Sequence, residues 1–480
     1  MNHLWAEHYW LGRLFLQRGL AIIYLIGFTV ALNQFRPLLG ERGLLPVPRF
    51  LERTTFRRSP SLFHWRYSDR LLAIVAWTGI VLAASAAFGL AEHGPEPVNM
   101  LVWLAMWALY QSIMNVGQTF YGFGWESLLL EAGFLAIFLG PSRWTPPVAT
   151  LWLVRWLLFR LEFGAGLIKM RGDRCWRDLT CLYHHHETQP MPNPLSRWFH
   201  LLPKQLHRTE VLGNHFAQLV APFGLFAPQP VAGIAAAIMI VTQLYLVVSG
   251  NFSWLNWITI VLAFSVLNDR WLHAIFHLTP THHVIGPVWF AAIALGVAAL
   301  VVVLSYWPVK NMLSPMQAMN ASFNPLHLVN TYGAFGSVTR ERDEVIVEGT
   351  LDEDVTAASE WREYEFKGKP GDVRRRPPQF APYHLRLDWL MWFAGLSPAY
   401  AQSWFMPFLG KLLENDRQTL KLLRTNPFPE QPPRAVRASL YRYRFATRAQ
   451  RRETGVYWVR EYMHEYVPPV ALQRRDRFSG

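Results

Sequence analysis

The chain has 480 residues, of which 51% are hydrophobic and only 16% charged, and its net charge of +13 is carried mainly by arginine. An average soluble protein carries about 25% charged residues. The deficit lies almost entirely before residue 308, which excludes a soluble enzyme over the whole length. The positive charge does not indicate nucleic acid, because no recognition motif accompanies it. Arginine in loops between apolar segments anchors topology against anionic lipid, which makes membrane lipid the expected partner.

A spanning helix needs about 20 predominantly apolar residues. Candidates in chain order are Arg13–Asn33, Leu71–Ala91, Val98–Met114, Trp125–Leu139, Val148–Met170, Val211–Ala227, Val231–Val248, Phe252–Leu267 and Val284–Trp307. Several are short or carry charge, so the reading is an α-helical polytopic domain over 1–307 with about seven to nine transmembrane helices. Trp103, Trp107, Tyr110, Trp125, Trp254, Trp257 and Trp307 crowd the span ends as an interfacial belt requires. The N-terminus shows no cleaved signal peptide. The 34–70 and 171–210 connections are basic, and alternation places both in the cytoplasm, together with the C-terminal region if the spans number nine.

After Trp307 the pattern changes. HLVNTYGAFGSVTR, DEVIVEGTL, EWREYEFKG, RAVRASLYRYRF and GVYWVREYMHEY read as strands, and RLDWLMWFAGL and PAYAQSWFMPFLGKLLEND as amphipathic helices. This predicts a soluble, β-rich, sandwich-like domain with helical insertions over 308–480.

The charges of Val148–Met170 define the first candidate site. Arg155, Glu162 and Lys169 recur every seventh residue, so they share one helix face within about 20° per step and lie about 10 Å apart along the axis. Each needs a partner on another helix, and Glu126, Glu131, Gln118 and Asn115 are candidates. Such a polar stripe is either a cavity for a headgroup, quinone or client segment, or a structural network holding helices together. Lys169 is the candidate catalytic group, with snorkelling to the interface as its bland alternative.

The following segment, YHHHETQPMPNP, suggests metal only superficially. Adjacent side chains diverge, and the H-E-x-x-H spacing is absent. A proline-stiffened loop oriented by Glu187 and Gln189 is expected instead, without metal or cofactor. Cys175 and Cys181, the two cysteines, would bridge only in an oxidising compartment. Asn251 and Asn256 read as interhelical hydrogen bonders. No nucleophile elbow, P-loop or dinucleotide fingerprint occurs, so a lipase activity of its own is not supported.

Several blocks, in order, resemble the lipase maturation factor family. FGWESLLLEAGFLAIFLGP (123–141) is similar to its Q-W-D/E-x-LLLE-x-GFL signature. RWLLFRLEFGAGLIKM with LTCLYHHHETQPMPNPLSRWFHLLP (155–203) resembles its RWLLFRLMF…YH-x-ETQ-x-P-x-P block, with Tyr183, His184, His186, Glu187, Thr188, Gln189 and Pro192 as loop residues. GNFSWLNWITIVLAFSVLNDR (250–270), NTYGAFGSVTRERDEVIVEG (330–349) and PPQFAPYHLRLDWLMWFAGL (377–396) match further segments. The resemblance implies a non-catalytic membrane protein that helps secreted, lipase-like clients reach their active state. In eukaryotic relatives it lies in the endoplasmic reticulum membrane, with the soluble region in the lumen. The short N-terminus and compact length look like a bacterial branch, which implies the inner membrane and a periplasmic face. That orientation opposes the loop-charge reading. An aromatic-lined patch of Asn330, Tyr332, Phe335, Trp361 and Trp389 is the expected client surface.

AGLIKMRGDRCW (165–176) is also similar to an element of vitamin K-dependent γ-carboxylase. There a lysine at the position of Lys169 acts as a base on a lipid-soluble substrate. The accompanying histidine of that family falls at Gln118, and glutamine cannot carry a proton at neutral pH. The resemblance therefore implies a shared fold more than shared chemistry.

Overall fold

The computed structural model describes residues 2–93, 96–280 and 284–472. The first helix, α1 (Trp10–Leu39), runs through the centre of the bundle, and α2 (Asp69–Ala87) packs along it. Ser68 caps α2 by accepting from the Leu71 N–H. Then come α3 (Glu96–Asn115), α4 (Gly124–Ala136) and α5 (Val148–Arg171). Between α5 and the next long helix lies a loop with the short α6 (Leu182–Thr188). Helix α7 (Lys204–His215) continues into a π-helical turn over Phe216–Val220. It is followed by α8 (Val231–Ser249), α9 (Leu255–Phe264), α10 (Asp269–Phe276) and α11 (Val288–Leu304).

Helices occupy the expected stretches, but fewer qualify as spans. Among the described residues four segments are long and apolar enough: Trp10–Leu39, Asp69–Ala87, Val231–Ser249 and Val288–Leu313. The pair α9 and α10, bent by 115°, would make a fifth. Helix α4 is too short and α5 too charged to face lipid alone. Both are instead buried within the bundle, with Leu128, Leu129, Leu130, Leu157 and Leu158 in its core.

The strands begin at β1 (Arg342–Thr350) and continue with β2 (Arg362–Glu363), β3 (Glu365–Phe366), β4 (Leu423–Thr425), β5 (Ala435–Phe445) and β6 (Trp458–Val470). The sheet order is β2-β1-β5-β6, antiparallel throughout, with β1 and β5 paired from Arg342↔Tyr443 to Thr350↔Ala435. β3 and β4 form a separate pair. One face of the larger sheet packs on α12 (Arg386–Leu396) and α13 (Phe405–Leu413). Helices thus cover the face where a sandwich would place a second sheet.

The segment 327–340, read as a strand, is irregular apart from an isolated bridge from Asn330 to Ser322. Asn330 sends its N–H to Glu131 of α4 and its carbonyl to Arg160 of α5, while the Thr331 N–H bonds the Ala321 carbonyl. A Cβ on Gly164 of α5 would lie 2.5 Å from the Tyr332 carbonyl oxygen. Glycine at 164 is what lets this segment lie directly on the helix.

Candidate functional site

Helix α4 carries two glutamates in an otherwise apolar run, and each is completed by residues far away in sequence. The Glu131 carboxylate accepts from both guanidinium nitrogens of Arg160. It also accepts from the Asn330 backbone N–H and side-chain Nδ2, both at 2.9 Å, and from the Tyr332 hydroxyl at 2.7 Å. Arg160 Nη1 donates in turn to the Asn330 carbonyl at 2.6 Å. Glu126 accepts from the Tyr110 hydroxyl at 2.5 Å and pairs with Arg386 at 2.8 Å. Arg386 lies 3.4 Å above the Tyr121 ring and donates to the Phe120 carbonyl at 2.7 Å. Gln34 of α1 closes the junction by donating to the His384 carbonyl at 2.6 Å and accepting from the Arg386 N–H at 3.0 Å.

These contacts place three of the expected client-surface residues inside the protein. Asn330 and Tyr332 are buried on Glu131, and Trp389 is buried against Trp125, with ring centroids 4.9 Å apart. Trp361 stays half-exposed with the Arg437 guanidinium 4.1 Å above its ring. Phe335 is half-exposed and stacks edge-on to His185 at 5.0 Å.

Two members of the stripe on α5, Lys169 and Glu162, are linked through Gln218. Lys169 Nζ donates to Asn214 Oδ1 and Gln218 Oε1, both at 2.8 Å. Gln218 Nε2 passes the chain to Glu162 at 3.1 Å, whose other oxygen accepts from Gln243 Nε2 at 2.8 Å. Asn256 of α9 then donates to Gln243 of α8 at 2.7 Å. Arg155 sits apart, donating to the Leu225 carbonyl at 3.2 Å and lying over the rings of Tyr9 and Trp152. Glu126 and Glu131 do not join the stripe. Gln118 bonds the Leu45 carbonyl at 2.9 Å, and Asn115 the Pro60 carbonyl at 2.8 Å. Gln218 escaped the sequence reading because it lies in a stretch that reads as a plain apolar span. Its position on the π-helical turn has no sequence signature, although such turns recur at functional sites.

The first half of the family loop is helical, since Tyr183, His184, His186, Glu187 and Thr188 lie on α6, and the extended part starts at Gln189. This loop joins the helices to the C-terminal strands. Arg342 at the start of β1 donates to the carbonyls of Glu187 (3.1 Å), Gln189 (2.5 Å) and Pro190 (3.1 Å). Glu187 accepts from the Phe445 N–H at 2.7 Å. Gln189 Nε2 donates to Ser196 Oγ and the Ser249 carbonyl, both at 2.9 Å. Asn251 donates to the carbonyls of Pro192 (3.1 Å) and Pro378 (2.9 Å), so it ties loop to soluble region rather than helix to helix.

Burial governs the titration of the imidazoles in this loop and at the two junctions beside it. The buried His185 ring is held down to about 3, mainly by desolvation and secondarily by Lys169. His200 is held down to about 4 by the same cause, with His207 adding to it. His384 is held near 4 by burial and then by Arg386. Burial raises the Glu187 carboxyl, opposed by its bond from Phe445 and by Arg342. All three imidazoles are therefore neutral at pH 7.

Cys175 and Cys181 form a disulfide that closes the turn after α5. Beside it, Trp176 Nε1 donates to the Phe335 carbonyl at 2.8 Å. Between this turn, α7 and α8 lies a cleft of about 610 Å³, lined by Lys169, His185, His186, Glu210, Asn214 and Tyr245 together with apolar side chains. His186, His207 and Glu210 each bring a ligand-capable atom within 4.8 Å of the others. His207 Nδ1 already lies 3.1 Å from Glu210.

The fold and these junctions define a multi-pass membrane protein whose C-terminal region is tied to its helices by the buried pair Glu126–Arg386 and by the hydrogen bonds of Asn330 and Tyr332 to Glu131. The transmembrane domain of lipase maturation factors matches residues 11–274, and their C-terminal domain residues 328–468. The chain is 43% identical to "Lipase maturation factor 1" of Bos taurus, over 98% of its own length and 90% of that protein. It is 42% identical to the Homo sapiens protein of that name, over 99% and 91%, and 29% identical to Homo sapiens "Lipase maturation factor 2", over 96% and 82%. No solved structure matches it. The chain belongs to the lipase maturation factor family.

Proposed function

We propose that this protein is a membrane-resident maturation factor that brings secreted lipases to their active, assembled state. The observation that carries this reading is the identity of 42–43% to lipase maturation factor 1 proteins along nearly the whole chain. The helical domain over 1–307 serves as platform and the domain over 308–480 meets the client. Of the aromatic patch expected from sequence, Trp361 is the accessible anchor, half-exposed under Arg437. Asn330, Tyr332 and Trp389 act by holding the soluble domain in place. Phe335 borders the cleft.

The soluble domain faces an oxidising compartment, the lumen of the endoplasmic reticulum in a eukaryotic cell or the periplasm in a bacterium. The disulfide Cys175–Cys181 supports this, because its turn packs on the soluble region through Trp176 and Phe335 and disulfides persist in such compartments. The basic 171–210 loop does not oppose it. Arg197 is buried and bound to the Ala446 carbonyl at 2.6 Å, so part of that charge serves structure and not topology. The test is co-isolation of a secreted lipase with the full chain. Recovery should drop severalfold for Trp361→Ala; unchanged recovery places the client surface elsewhere.

Lys169 at the edge of the cleft keeps a second reading in play, catalysis on a lipid-soluble substrate. Lys169→Arg separates the two, because arginine keeps the charge and cannot act as a base. Lipase maturation should survive that substitution; its complete loss in a folded variant favours catalysis.

A further inference from the structure

The cleft between α7 and α8 has features that the maturation role does not use. Its apolar wall is formed by Phe216, Ile234, Ala237, Ile238, Val241 and Trp271. Phe216, Ile234 and Val241 are 51%, 47% and 66% exposed, so the cleft opens sideways between two helices toward lipid. Helix α8 is itself one of the four segments able to cross a membrane. From Ile234 to Tyr245 the wall runs ~16 Å along α8 at ~1.5 Å per residue, about half of the ~30 Å hydrocarbon core. The cleft is therefore about one leaflet deep, and its volume of about 610 Å³ is within the usual range for a small-molecule pocket.

Its polar groups gather toward the soluble region. Tyr245, at the C-terminal part of α8, approaches His186 of the loop at 3.5 Å. Lys169 lies 4.8 Å over the Trp176 ring beside the disulfide turn. Among the described residues the Lys169 ammonium donates to the amide oxygens of Asn214 and Gln218, and forms no ion pair with a carboxylate. Glu210, one turn before Asn214 on α7, brings a carboxylate to the same rim. The flanking imidazoles of His185 and His186 are held neutral by burial. The rim thus presents one cation and one anion above an apolar slot that opens into the bilayer.

We propose that this cleft binds a zwitterionic phospholipid from the surrounding leaflet, with its phosphate at Lys169, its ammonium at Glu210 and one acyl chain along α8. A fatty acid would satisfy Lys169 and leave Glu210 opposed to its carboxylate. An anionic phospholipid with a glycerol headgroup would place only hydroxyls at Glu210 and leave its charge uncompensated. The complementary charge pair is what selects the zwitterion. This site is independent of the client reading, because it lies on the membrane domain and needs no lipase.

The full-length protein in mild detergent is offered phosphatidylethanolamine, phosphatidylglycerol and oleate at equal concentration, and retained lipid is read by native mass spectrometry. The wild type should retain phosphatidylethanolamine about tenfold over the other two, the ratio that about 1.4 kcal/mol of differential affinity produces. Glu210→Gln should erase the preference over phosphatidylglycerol, and Lys169→Gln should reduce retention of both phospholipids. Ala237→Trp, which fills the slot from the half-exposed face of α8 without touching the polar network, should abolish retention while the melting temperature is kept. The proposal is overturned by no retained phospholipid, by preferential retention of oleate or phosphatidylglycerol, or by wild-type retention in a folded Ala237→Trp variant.

Discussion

Replacing Glu131 by alanine removes the acceptor shared by Arg160, the Asn330 N–H and side chain, and the Tyr332 hydroxyl. Arg160 and Glu131 are each 1% exposed at the side chain, so the guanidinium is left buried without its counter-charge. Removing one partner of a buried pair costs about 3–5 kcal/mol. The orphaned N–H and hydroxyl each cost about 1–3 kcal/mol. These losses share one centre and do not add, and Arg160 keeps its bond to the Asn330 carbonyl. A net loss of about 4 kcal/mol is expected, with a fall in melting temperature of about 4 °C for a chain of this length. Because Asn330 and Tyr332 lead into β1, the damage should localise to the junction. Limited trypsin digestion in detergent should cut near Arg340 in the variant faster than in the wild type. The double substitution Glu131→Leu with Arg160→Met should recover part of the loss, since apolar replacement of a whole buried pair is often neutral. A Glu131→Ala protein that melts within a degree of wild type, with unchanged proteolysis, would refute the idea that this carboxylate holds the two regions together.

Three further outcomes follow from the structure. Gly164→Val forces a side chain against the Tyr332 carbonyl, 2.5 Å from the added Cβ position, and should cost at least about 2 kcal/mol by overpacking, read as a lower melting temperature. Reduction of the disulfide, or Cys175→Ser with Cys181→Ser, should cost about 2 kcal/mol by freeing a short loop; an unchanged melt in reductant would show that the bridge contributes nothing. Stability should also fall in acid. His185, His200 and His384 are held down to about 3, 4 and 4 in the folded protein. Between their ordinary value near 6.5 and those folded values the unfolded chain therefore binds more protons, so stability is present above about pH 6.5 and is lost on descending toward about pH 4. His384→Asn should flatten that slope, and a melting temperature constant from pH 7 to 5 contradicts the assignment.

How much of this was legible in the sequence depends on the residue. Glu126, Glu131, Glu162 and Lys169 announced themselves because a charge in an apolar helix demands a partner. Their partners did not. Arg386 pairs with Glu126 across 260 positions, and Arg160 lies off the sevenfold stripe that periodicity singles out. Local patterning has no access to contacts of that span. Asn330, Tyr332 and Trp389 show a second limit. An aromatic-rich segment has the same composition whether it meets a client or packs on the protein's own helices, and here these three pack inward. The strand expected over 327–340 failed for the same reason, since its alternation serves contact with α5 and not a sheet. The β1 and β5 strands were plain because a β-branched or aromatic run bounded by turn residues marks a strand whichever faces are covered, and β1 is in fact buried on both faces. The span count exceeded what length and apolarity support, because helices buried inside a bundle can be apolar without facing lipid.

The central claim is that this chain matures secreted lipases from the membrane. Its most direct test is to express the full-length protein in cells lacking their own lipase maturation factor, together with a secreted dimeric lipase, and to measure lipase activity in the medium against lipase mass. Activity per unit mass should rise well above the background of cells carrying an empty vector. Glu131→Ala should blunt the gain and Lys169→Arg should preserve it. Activity that stays at background, with the protein folded and in the correct membrane, would contradict a role in lipase maturation.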